Sequence, residues 1–175
     1  KTRQQHYGRA YALKLGKAEL HVGRISLPAV VRTSAVEAEK AARTNGLTFS
    51  FEATATPLEV SGDAERLSQV VDNIFNNAIK FTPHGGHVSC TVERDRNEGV
   101  IRIRDTGRGI PADELEDVFV KFFRSPGVQT DAIPGTGIGL AISKAIVEAH
   151  GGTIDLTSKV GEGTTFEIRL PLVEQ

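Results

Sequence analysis

The chain has 175 residues, 39% of them hydrophobic, which is enough to bury a core and is natural for a single main domain. Its 21 basic and 22 acidic side chains balance, so no bulk electrostatic partner such as duplex DNA is indicated, and the lone Cys90 excludes an internal disulfide or a thiolate metal cluster. No run of about 18 apolar residues is available to span a membrane, and with no methionine even at position 1 the chain is expected to be a fragment or a processed product.

Residues 1–17 are polar, helix-compatible and closed by Gly16, and read as the remnant of an upstream helical element or linker; the domain proper is expected over 18–175. Residues 18–27 alternate loosely as a first strand, after which Pro28 suits the first turn of a helix with Ser26 as its cap. Val31, Ala35, Ala38 and Ala42 give that helix one apolar face, and Asn45-Gly46 ends it. Clean alternation over 47–53 and a short apolar run at 58–60 predict two further strands.

Residues 63–82 predict the central helix, with Asp63 as cap. Leu67, Val70, Val71, Ile74, Ala78 and Phe81 form its apolar stripe, and Asn73, Asn77 and Lys80 line the flank at i, i+4 and i+7. Two amide oxygens and an ammonium in such a row suit a metal-bound polyphosphate; taken alone, the asparagines are equally compatible with surface amides. Gly85-Gly86 breaks the chain before a hairpin of 87–94 and 99–104, which places Val88, Cys90, Val92, Ile101 and Ile103 on one face. A short helix is predicted over 111–123, a mobile loop over 125–134, an apolar helix over 138–150, and strands over 153–157 and 164–170. Strands gathered in one layer and helices in the other make an α+β two-layer sandwich.

Three glycine-bearing motifs follow. Asp105-Thr106-Gly107-Arg108-Gly109-Ile110 directly follows a strand, where a carboxylate can accept from an exocyclic amine while the glycine backbone approaches a ring closely; a plain turn is the alternative. Gly135-Thr136-Gly137-Ile138-Gly139-Leu140 opens a helix and offers backbone N–H groups to phosphate oxygens, without the Gly-Lys-Ser/Thr spacing of a P-loop. Gly161-Glu162-Gly163-Thr164 is a glycine-rich turn between strands. The five histidines show no metal-ligand spacing and read as solvent-facing or structural.

Each motif is weak singly, but their order is specific. Asn73/Asn77/Lys80, Asp105-x-Gly107-x-Gly109, Phe119 with Phe122-Phe123-Arg124, residues 135–140, and Gly161-x-Gly163-Thr164 resemble the N, G1, F, G2 and G3 boxes of the Bergerat-fold ATP-binding catalytic domain of bacterial sensor histidine kinases. The resemblance covers about 18–172 and implies a mixed, mostly antiparallel β-sheet on about three main helices, with a mobile ATP lid. It implies Asn77 as the Mg²⁺ ligand, Asn73 near the same phosphates, Lys80 offsetting their charge and Phe81 near the adenine. Asp105 would accept from the adenine amine, with Thr164 in the same network, while Gly107, Gly109 and Ile110 shape the base pocket. Gly135, Thr136, Gly137, Ile138, Gly139 and Leu140 would cap the triphosphate; Phe122 would belong to the site and Arg124 would meet the β/γ-phosphates.

Hydrolytic relatives in the wider superfamily place a water-activating carboxylate where this chain has Asn73, so no general base is assigned here and phosphoryl transfer is favoured over ATP hydrolysis. His6 is followed by Tyr7-Gly8, unlike the family's acceptor histidine. The implied function is therefore to bind Mg-ATP and donate the γ-phosphate to a histidine on a dimerising helical hairpin outside this chain, in two-component signalling that leads on to a response regulator. A nucleotide-responsive regulatory module is the alternative. The chain alone is expected to be a cytoplasmic monomer that does not label itself and binds no nucleic acid; whether the parent is membrane-anchored is left open.

Overall fold

The computed structural model describes residues 20–120 and 139–174. Its order is β1 (Gly23–Ser26), α1 (Leu27–Thr44), β2 (Thr48–Ala53), β3 (Glu59–Gly62), α2 (Ala64–Phe81), β4 (His87–Asp95), β5 (Glu98–Asp105), a 3₁₀ turn (Ala112–Glu114), α3 (Gly139–Ala149), β6 (Thr153–Lys159) and β7 (Gly163–Pro171). Five strands form one sheet in the order β2-β4-β5-β7-β6, parallel only between β2 and β4; β1 and β3 form a separate antiparallel pair. The three helices cover one face of the large sheet, so the expected α+β sandwich is the observed fold. Among the described residues no helix is long and apolar enough to cross a membrane.

Strand alternation puts a set of cross-strand rows on the helix side. Ala53, Val92, Ile101, Ile168 and Ile154 stand abreast, then Phe51, Cys90, Ile103, Phe166 and Leu156. Most of these side chains are buried, and burial pushes the Cys90 thiol up to about 12, so it stays protonated and inert. The third row begins apolar with Phe49 and Val88 but continues as Asp105, Thr164 and Ser158. The opposite face is polar. There Arg102 pairs with Glu93 and Glu167, and Arg169 with Glu167, Asp95 and Glu98, a lattice in which both arginines share Glu167.

The middle helix, α2, contacts both other helices and buries a wider arc than the stripe read from sequence. Phe75 and Ile79 are buried as well, Phe75 meeting the Phe49 ring at 5.6 Å, whereas Phe81 is only half-buried. Thr82 Oγ1 donates to Ala78 O at 2.6 Å and closes the helix. At the other end Asp63 caps it: Oδ1 accepts from Arg66 N–H and Oδ2 from His21 N–H. The Asp63 N–H in turn donates to Nε2 of His150, whose Nδ1–H reaches Ile146 O. His150 thus joins the end of α3 to the start of α2, a structural role.

Two sequence expectations change. The helix predicted over 111–123 is, through residue 120, a 3₁₀ turn followed by further turns, with bonds from Glu114 N–H to Pro111 O, Asp117 N–H to Glu114 O and Val120 N–H to Asp117 O. Val118 is the buried residue of this stretch, and without a continuous buried stripe so short a segment has too little to hold an α-helix. The first strand is shorter than 18–27, and β6 and β7 are longer than expected. The expected remnant at 1–17 and loop at 125–134 lie outside the described residues.

Burial raises the Asp63 carboxyl, but the N–H groups of His21, Arg66 and Glu65 outweigh it and hold the value below the ordinary range. The folded state therefore binds this proton less readily than the unfolded chain. The resulting stability is present above the ordinary value of about 3.9 and is lost as pH falls through the lowered one. Asp63→Ala should cost about 1–2 kcal/mol in urea unfolding at neutral pH, with the deficit shrinking in acid; a pH-independent deficit would show that the charge is not responsible.

Candidate functional site

Asp105 ends β5 at the polar end of the third row and is buried together with Thr164. Its Oδ1 accepts from Gly107 N–H at 2.8 Å and from Thr164 N–H at 3.3 Å. Burial pushes its carboxyl above the ordinary range, and these two N–H groups act against that shift. Among the described residues nothing bonds Oδ2, and no fully buried side-chain polar atom lacks a partner, so Oδ2 is reachable from outside. The site offers one fixed acceptor to a ligand donor.

The glycines around Asp105 are required by close approach. A β-carbon on Gly107 would lie 2.6 Å from Phe81 O and 2.8 Å from Asp105 Oδ1. Gly109 has φ +74°, and its β-carbon would lie 2.1 Å from Lys159 O. The loop is tied to neighbouring elements by Arg108 N–H to Phe81 O at 3.4 Å, Gly161 N–H to Arg108 O at 2.9 Å and Ile110 N–H to Ser158 Oγ at 2.7 Å. The G1-like and G3-like motifs, 50 residues apart in the chain, are thereby one structure.

A second cluster forms on α2. Asn73 Nδ2 donates to Ser143 Oγ of α3 at 3.1 Å, and a β-carbon on Gly139 would fall 2.3 Å from Asn73 Oδ1. Asn77 is half-buried, and its carboxamide makes no hydrogen bond among the described residues; Lys80 is exposed. These side chains lie along the helix between Asn73 and Phe81, whose carbonyl touches the Asp105 loop. Neutral carboxamide oxygens on a rigid helix fit Mg²⁺, which takes a few hard oxygen ligands from protein and the rest from phosphates and water. Among the described residues no group of three or more His, Cys, Asp or Glu suited to a metal exists.

A groove of about 510 Å³ between α2 and α3 is lined by Glu65, Asp72, Asn73, Asn76, Gly139 and Ser143, among others. It reaches two of the expected residues, Asn73 and Gly139, while Asn77 and Asp105 lie outside it. Leu140 packs against the core, and Phe119 meets Phe166 edge-on at 6.2 Å with Lys144 over its other side. Phe122, Arg124, Gly135, Thr136, Gly137 and Ile138 lie outside the described residues. Sequence reasoning missed Ser143 and Ser158. Ser158 was findable, because carrying the period of β6 one step past Thr157 sets it opposite Thr164; Ser143 carried no comparable signal.

Residues 62–174, more than half of the chain, match the family described as histidine kinase-, DNA gyrase B- and HSP90-like ATPase. The chain belongs to that family. Sensor protein SrrB of Staphylococcus aureus is 41% identical over 114 residues, which cover 65% of this chain and 20% of that protein. A mycobacterial sensor histidine kinase, MprB, superposes with a TM-score of 0.75 at 31% identity, covering 88% of this chain and 99% of that one. Full-length ShkA in complex with AMPPNP superposes at 0.79 with 27% identity, covering 96% of this chain and 35% of that one. Within its family the chain is therefore a catalytic ATP-binding domain of the bacterial sensor histidine kinase kind.

The glycine geometry of this kinase-type domain is directly testable. Gly109→Ala combines a left-handed backbone with a clash against Lys159 O, and should cost about 2 kcal/mol or more in urea unfolding. A loss below about 0.5 kcal/mol, the usual scatter for surface changes, would overturn the close approach.

Proposed function

We propose that the domain binds Mg-ATP along α2 and donates the γ-phosphate to a histidine on a dimerising helical hairpin supplied from outside the described residues, as part of two-component signalling through a response regulator. The observation that carries this reading is Asp105. A buried carboxylate has one oxygen locked by two backbone N–H groups and the other left open. It matches a ligand that brings an N–H donor on a flat ring, and Gly107 lets backbone approach that ring. The relative ShkA, solved with AMPPNP, an ATP analogue, supports a nucleotide in this fold.

In this reading Asn77 supplies its carboxamide oxygen to the metal and Asn73 holds the phosphates while Ser143 fixes its amide. Mg²⁺ would neutralise phosphate charge. Lys80 adds a positive charge at the same wall, and Phe81 lies beside the base. Gly139 and Leu140, with residues 135–138, are assigned to cap the triphosphate, Arg124 to meet the β/γ-phosphates, and Phe122 to the ATP site. The Asn73 amide is not a base, so the position where hydrolytic relatives carry a carboxylate cannot activate water here. The domain therefore holds ATP for an incoming nucleophile, and rate comes from positioning and charge neutralisation. The ATP-binding unit is assigned to 18–175, and the isolated chain is assigned as a cytoplasmic monomer.

Asp105→Asn keeps an oxygen for the two N–H groups but turns the open acceptor into a donor. It should lower ATP affinity by about 10–100-fold, the value of a hydrogen bond to a charged group, without lowering the thermal midpoint. Asn77→Ala should weaken binding in Mg²⁺ but leave binding in EDTA within about twofold; equal losses in both would remove the metal assignment. These are read by calorimetric titration.

With γ-labelled ATP, the chain alone should remain unlabelled, and a separately prepared acceptor hairpin of the parent kinase should gain acid-labile label when the chain is added. ATP binding with no label on the hairpin would instead favour a nucleotide-responsive regulatory module. Sustained phosphate release would favour a hydrolase.

A further inference from the structure

We infer that Ser158 is a positioning residue that makes the base pocket select an amino group over a carbonyl, an inference that rests on the ATP-binding reading above. Ser158 lies on β6 at the end of the polar row, opposite Thr164, which is itself opposite Asp105. Its hydroxyl meets three groups: Ile110 N–H at 2.7 Å, Thr164 Oγ1 at 2.7 Å and Gly163 O at 3.0 Å.

Proton counting fixes the direction of each bond. A serine hydroxyl carries one proton and two lone pairs. Gly163 O can only accept, so the Ser158 proton is directed there. Ile110 N–H can only donate, and occupies one lone pair. The remaining contact must then run from Thr164 to Ser158, which commits the only proton of Thr164 away from any ligand. Thr164 Oγ1 is left with lone pairs alone to offer. Asp105, with Oδ1 taken by two N–H groups, offers Oδ2 as an acceptor in its carboxylate form.

Two acceptors side by side favour a donor at the ligand edge and disfavour a carbonyl there, because a buried acceptor facing another acceptor goes unsatisfied. The same hydroxyl also holds the loop: Ile110 N–H is its third tie to neighbouring elements, after those of Arg108 N–H and Arg108 O. Ser158 therefore acts through Thr164 and the loop.

The test compares ADP with IDP, which carries a carbonyl in place of the adenine amine, and with magnesium tripolyphosphate, which carries no base, on the full 175-residue chain. Wild type should prefer ADP to IDP by at least about tenfold, and Ser158→Ala should cut that ratio about fivefold or more, because the freed Thr164 hydroxyl can donate to the carbonyl. Ser158→Thr, which restores the hydroxyl, should keep the ratio within about twofold of wild type, and tripolyphosphate affinity should be the same within that margin in all three. Ser158→Cys carries the same expectation as alanine should the alanine variant not fold. An unchanged ratio in Ser158→Ala, an equal fall in Ser158→Thr, or a parallel loss of tripolyphosphate overturns the inference. Wild type that binds ADP and IDP alike overturns it too. Wild type that binds no ADP at all overturns instead the reading on which it rests.

Discussion

The structure depends on a change of chemistry within one sheet face. Two cross-strand rows are apolar from edge to edge and hold the helices down. In the third, at the end where Asp105 stands, three successive strands turn polar. The register that aligns isoleucines for packing also aligns a carboxylate and two hydroxyls, since a period of two carries both along the same strands. Core and site are thus specified by one pattern, and a one-residue slip would lose both at once.

The second element of the site is rigid for a different reason. Helix α2 is covered on three sides, by the sheet and by both other helices, so its buried arc leaves little freedom for rotation. The asparagines at its rim are therefore presented at fixed positions, and Ser143 fixes the Asn73 amide further. A helix fixed in this way suits a task in which alignment matters more than proton transfer.

Much of this was legible in the sequence because the signals were local. Alternation found the β4–β5 hairpin and its inward face, helical spacing found α2 with its asparagine row, and the order of the glycine motifs found the family. What escaped depended on contacts distant in sequence. The breadth of burial on α2, with Phe75 and Ile79 inside, follows from neighbours on both sides that no single-helix pattern reveals. The parallel pairing of β2 with β4 leaves no turn signature, because a whole helix separates them. Apolar residues at helical spacing made 111–123 look like a helix, although through residue 120 Val118 alone is buried.

Helix α2 runs between two buried carboxylates of opposite character. Asp63, at its start, is more acidic in the folded chain than in the unfolded one, and Asp105, beside its end, is less acidic. Acidification therefore pulls the helix in two directions: it removes the anchor at one end and relieves an electrostatic burden at the other. Burial weighs against the charged form of Asp105, so wherever that carboxyl is ionised it offsets part of the stability the core supplies. A donor bound there would satisfy the open oxygen and would add to what holds the fold.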